Sequence, residues 1–151
     1  MPTEAVRQVA PALRPLALFI DEQVPAAGVN GGASAAIEHM RAPMRLGFDV
    51  MFVASLDLGD HARRAEGLAA LGIKPLLAPW YASVEEVLRR HAGRIDVVYL
   101  HRAGNAAAYG RLVRQHCPQA LLVYGVADLH HVRLARQGAV EHRPEVARFA
   151  G

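Results

Sequence analysis

Five short apolar runs recur along this chain, each followed by a stretch with helical spacing, and no other feature constrains the fold as strongly. The runs are Pro15–Ile20, Phe48–Ala54, Gly72–Ala78, Ile95–His101 and Ala120–Gly125. Two of them contain the uninterrupted segments VVYL and LLVY, the pattern of parallel strands buried on both faces. Between the runs, a helix is expected from about Gly32 to Leu46, with Ile37, Met40 and Met44 on one face. Pro43 lies inside it, so a kink or break is expected near its last turn. A short helix follows Asp60 and reaches Leu71. Another begins at the capping box Ser83–Glu86 and runs to about His91. A fourth carries Tyr109, Leu112, Val113 and His116 and stops before Pro118. Asp128 opens a further helical stretch, and Pro144 a last short one. Strand and helix in strict alternation predict a single Rossmann-like α/β domain. Its parallel sheet has about five or more strands, with helices on both faces and right-handed crossovers. Residues 1–13 read as a leader and 14–151 as the domain.

Composition narrows the function. The 151 residues are 52% hydrophobic and 21% charged, ordinary for a globular protein with a sizeable core. The net charge of +3 comes from scattered arginines, with Lys74 the only lysine and no run of like charges, so a nucleic-acid partner is not expected. The one cysteine, Cys117, excludes an internal disulfide and fits a reducing cytoplasm. No apolar run approaches the ~18 residues of a membrane span. His39, His61, His91, His116 and His142 have no metal-ligand spacing with one another or with Cys117, so no metal is expected.

In a parallel α/β sheet, ligands bind beyond the carboxyl ends of the strands. Those ends carry Asp21, Ser55–Asp57, Trp80 and Tyr81, His101 and Arg102, then Asp128, His130 and His131. The long stretch DEQVPAAGVNGGASAA, Asp21 to Ala36, leads from the first strand to the first helix. It is not a dinucleotide fingerprint: its glycines (Gly28, Gly31, Gly32) arrive late, and Ala54-Ser55 end the second strand where an acidic residue is required. Two readings stand for it. Gly31, Gly32 and Ser34 form an anion site at a helix N-terminus, or the glycines only make a turn.

Taken in order, the strand ending in Asp21, the Pro-containing loop, Gly-x-Ser, RLGFDVMFVA, ALGIKPL and IDVVYLHRAGNAAAYGRLVRQHCPQALLVYGVADLHHVRLAR resemble the amino-terminal domain of a GT-B glycosyltransferase of the family 4 (group 1) kind. The resemblance covers about Leu16 to Gln137. It implies transfer of a sugar from a nucleotide-sugar donor to a carbohydrate or glycolipid acceptor, without a metal or other cofactor. It also implies a carboxyl-terminal donor domain, outside these 151 residues, facing this acceptor-side domain. The glycine loop would then reach across the cleft to the donor diphosphate, and the chain alone is expected to transfer no sugar. Asp128 and His130 are the implied candidates for the base, with His101 next; Asp21, Arg102, Trp80 and Tyr81 join the binding set. Each has a plain alternative: Asp128 as a helix cap, His130 as a solvated residue, His101 bonded to backbone, Trp80 and Tyr81 covering the sheet edge. The chain departs from the family at Gly125, where an Asp is common, and at Ala35, where an Arg often follows the loop serine. A cytoplasmic location follows, with attachment of the full-length protein to the inner face of the membrane left open. A non-catalytic binding or adaptor domain and a small nucleotide-binding module remain as alternatives.

Overall fold

The structure, a computed structural model, describes residues 12–26, 28, 31–56 and 62–126. The elements run β1 (Leu16–Asp21), α1 (Gly31–Arg45), β2 (Asp49–Ala54), α2 (Ala62–Ala70), β3 (Lys74–Leu76), α3 (Val84–Arg90), β4 (Val97–His101), α4 (Ala103–His116) and β5 (Leu121–Gly125). The five strands form one sheet in the order β3-β2-β1-β4-β5, and every neighbouring pair is parallel. The chain is therefore a Rossmann-like α/β domain, with the strand order reversing beside β1.

Side-chain alternation along the strands explains the two faces. On one, Leu18 and Ile20 of β1, Met51 and Val53 of β2 and Val98 and Leu100 of β4 pack with Val84, Val87 and Leu88 of α3 and Val113 of α4. On the other, Ala17, Phe19, Val50, Phe52 and Ala54 meet Ile37 and Met40 of α1 and Leu68 of α2. Each fully buried Leu, Ile or Phe contributes roughly 1.5–3 kcal/mol. The helices change face where the strand order reverses, as crossovers of one hand require.

Local chemistry sets the ends. Gly47 and Gly72 follow α1 and α2 with φ of 90° and 85°, the left-handed conformation that stops a helix. The break expected at Pro43 takes the form of an ending: the helix passes through Pro43, stops at Arg45, and the Pro43 carbonyl accepts from the Leu46 and Phe48 amides. β3 shrinks to three residues because it pairs only with β2 and contains Pro75, a residue tolerated at a sheet edge. The helices expected at Asp128 and Pro144, and the leader up to residue 11, lie outside the described residues.

At α3 the capping box forms with a shift. Ser83 Oγ accepts from the Glu86 amide at 3.1 Å, while Glu86 Oε2 accepts from the Ala82 amide at 2.7 Å, one residue before the cap. Ser83→Ala should cost about 0.5–2 kcal/mol. A thermal melt would read this as a fall of a few degrees, and an unchanged midpoint would mean that Glu86 holds the end alone.

Candidate functional site

The β1–β4 pairing brings the polar ends of two strands together. Phe19 pairs with Tyr99 and Ile20 with Leu100, so the next step sets Asp21 beside His101 on the face that α1 covers. The rings of Phe19 and Tyr99 stack with centroids 4.7 Å apart, and the Tyr99 and His101 centroids lie 5.9 Å apart. From α1, His39 Nδ1 lies 3.0 Å from the Tyr99 hydroxyl.

Asp21, only 4% exposed, organises the end of the sheet. Its Oδ1 accepts from the Glu22 amide and from Arg102 Nε, both at 2.7 Å, and its Oδ2 lies 3.9 Å from His101 Nε2. A short charge-assisted bond of this kind is among the stronger polar contacts in proteins. Arg102 makes it from φ 77° and ψ 149° at the N-cap of α4, a region close to glycine-only. Its amide donates to the Gly125 carbonyl at 3.0 Å, which ties the strained residue to β5. Behind it, buried Asn105 donates to the His101 carbonyl at 2.7 Å and accepts from Ser55 Oγ at 2.6 Å, joining the ends of β2 and β4.

Burial pulls the His101 pKa below 6.5, an effect partly opposed by the Asp21 carboxylate and reinforced by Arg102 and His39. At neutral pH the ring is therefore uncharged and able to accept a proton. Burial, with the charge of Asp21, pushes the Tyr99 phenol up, so its hydroxyl stays protonated. Gly125 leaves the room that Tyr99 needs: a Cβ at position 125 would run into the Tyr99 ring. A larger residue at the end of β5 would therefore require Tyr99 to move.

In front of this cluster a cavity of about 280 Å³ opens between Asp21, Glu22, Pro25, Ala33 of α1, Arg64 of α2 and Arg102. Two guanidinium and two carboxylate groups thus line one space at the reversal of strand order. Gly31 begins α1, and a Cβ there would meet nothing within 4 Å; Gly32 and Ser34 are exposed on the same first turn. Asp21, Arg102 and His101 come together as their strand-end positions imply, although His101 is 5% exposed and touches the cleft only through Asp21. Trp80 and Tyr81 stand apart, beyond the edge strand β3. Trp80 is 72% exposed, whereas Tyr81 is buried with its hydroxyl 2.8 Å from His91 Nε2. Asp128, His130 and His131 lie outside the described residues.

Sequence reasoning missed Asn105, Tyr99, His39, Glu22 and Arg64. A polar aromatic inside the apolar run VVYL was the one available signal for Tyr99; the others depend on contacts between elements distant in sequence. Among the described residues, no group of three or more His, Cys, Asp or Glu is placed to hold a metal, and no helix is long and apolar enough to cross a membrane. No protein-family model, no curated protein and no solved structure matches the chain.

Two predictions follow from the geometry. Arg102→Ala loses the ion pair and keeps the strained backbone, whereas Arg102→Gly loses the pair and relieves the strain. Urea unfolding should find the glycine variant more stable than the alanine variant by about 1–3 kcal/mol; equal midpoints would show that position 102 stores no strain. The second concerns pH. His101 and His91 both have pKa values lowered from 6.5, in each case mainly by burial. Below that value the unfolded chain binds protons that the folded chain resists, so stability is full above it and declines as pH falls. Urea midpoints should therefore drop between about pH 7.5 and about pH 5.5, and His101→Asn should flatten part of the slope.

Proposed function

We propose that this chain is the acceptor-side domain of an enzyme that moves a sugar from a nucleotide-sugar donor to a carbohydrate or glycolipid acceptor. The observation that carries the reading is the cleft at the reversal of strand order, where Arg64, Arg102 (paired with Asp21) and the start of α1 line one cavity. A leaving diphosphate concentrates negative charge, and fixed cations with a helix N-terminus stabilise it without a metal. The cavity of about 280 Å³ is small for a whole nucleotide-sugar. That suits a domain contributing one wall of a larger cleft, with the nucleotide held by a carboxyl-terminal donor domain.

In this reading Asp21 aims Arg102 and lies beside the uncharged His101 ring. The proton of the acceptor hydroxyl passes to a base drawn from Asp128, His130 and His101. The enclosure of His101 favours a positioning role for it. The same enclosure favours the second reading, a binding domain without catalysis.

Gly31 separates these ideas from a plain turn. Because a Cβ there meets open space, Gly31→Ala should leave stability unchanged or raise it by up to about 1 kcal/mol. If the α1 backbone approaches phosphate, the same variant should weaken pyrophosphate binding, followed by shifts of the Gly31, Gly32 and Glu22 amide resonances. Arg64→Ala should weaken it as well. Wild-type spectra that ignore pyrophosphate would refute the diphosphate reading. Binding without turnover in the full-length protein would favour the binding domain.

A further inference from the structure

The edge of the sheet opposite β5 carries a second built surface. A cavity of about 420 Å³ lies against β3 between Lys74, Leu77, Trp80, Tyr81 and Arg90. Another, of about 360 Å³, continues past Lys74 to Asp49, His91 and Arg94. Lys74 lines both, so the two adjoin there to make a groove interrupted by its side chain.

Its indole is presented by a fixed frame. Arg90 Nη1 donates to the Trp80 carbonyl at 2.7 Å, and the Arg90 guanidinium sits 4.5 Å from the centre of the buried Tyr81 ring. The Tyr81 amide donates to the Leu77 carbonyl, and Glu86 holds the Ala82 amide. The backbone around Trp80 is thus tied at three points while the ring stays in water. A lysine and a proline on an edge strand have an ordinary use, since they discourage pairing with another sheet. The exposed Trp80 ring sets an apolar face beside them.

The groove is electropositive. Among the described residues neither Lys74 nor Arg94 has a salt bridge, whereas Asp49 is 3.4 Å from Arg14 and Glu86 is 3.6 Å from Arg90. His91, lowered first by burial, is lowered further by Lys74, Arg90 and Arg94, so the cations act on the groove's interior. We propose that this groove binds an acidic saccharide, with one sugar ring laid on the Trp80 indole and its carboxylate at Lys74, the carboxylate of the next unit reaching toward Arg94. Asp49, 3.4 Å from Arg14, lines the same cavity and offers an acceptor to saccharide hydroxyls. Single-stranded nucleic acid also uses successive aromatic platforms, and Trp80 is the one exposed aromatic lining these two cavities. The site is independent of the sugar-transfer reading and stands or falls without it.

Trp80 is the sole tryptophan, so its emission reports the groove alone. Titration of the full chain with a short oligogalacturonate should change that emission saturably, and a neutral malto-oligosaccharide of equal length should bind more weakly. Lys74→Ala with Arg94→Ala should lower the affinity about tenfold. Trp80→Ala, followed by calorimetry, should abolish binding, and these three exposed residues can be changed without opening the core. Equal affinity for the neutral oligomer would overturn the proposal, as would silence toward both. A response to AMP or to phosphatidylglycerol vesicles with none to oligogalacturonate would overturn it too, and would assign the groove to nucleotides or to membranes.

Discussion

Burial of β1 on both faces is the constraint from which the rest of the architecture follows. All six of its residues are buried, with Leu18 and Ile20 turned toward α3 and α4 and Phe19 turned toward α1. A strand so enclosed can carry a charge only where the helices part, and that is its last position, Asp21. There α1 leaves toward one face and α4 toward the other, and the gap between them is the cleft. Arg102, the first residue past β4, is the cation within reach.

The polar groups around Asp21 are held from several directions at once. The β5 carbonyl at Gly125 fixes the amide of Arg102, Asn105 fixes the end of β4, and Ser55 extends the link to β2. Such a network limits the rotamers of each member, so a ligand arriving in the cleft meets groups already oriented. The backbone conformation of Arg102 is tolerated because these neighbours over-determine it.

Strand identity and order of elements were legible because burial on both faces writes itself into the sequence as apolar runs. The ends were less so. Gly72–Ala78 reads as seven strand residues, yet only Lys74–Leu76 pair, since Gly72 completes a helix stop and the edge has a partner on one side only. Asp21, His101 and Arg102 were legible as a group because each sits where an apolar run ends. The Tyr99–His39 and Ser55–Asn105 contacts were hidden: they join residues 60 and 50 positions apart, and only the sheet register brings them together. Trp80 and Tyr81 look alike in sequence, but one ring turns to water and the other to His91 and the core.

The room shared by Gly125 and Tyr99 couples two positions on different strands. A carboxylate introduced at 125 alone would collide with the phenol. Trimming Tyr99 alone would leave Phe19 and His101 without the ring that lies between them. Effects at the pair would be far from additive, since each change alters the space available to the other. A lineage of this fold could therefore exchange glycine and tyrosine for an acidic residue and a small one only in concert, and recombination between the two versions would break the match.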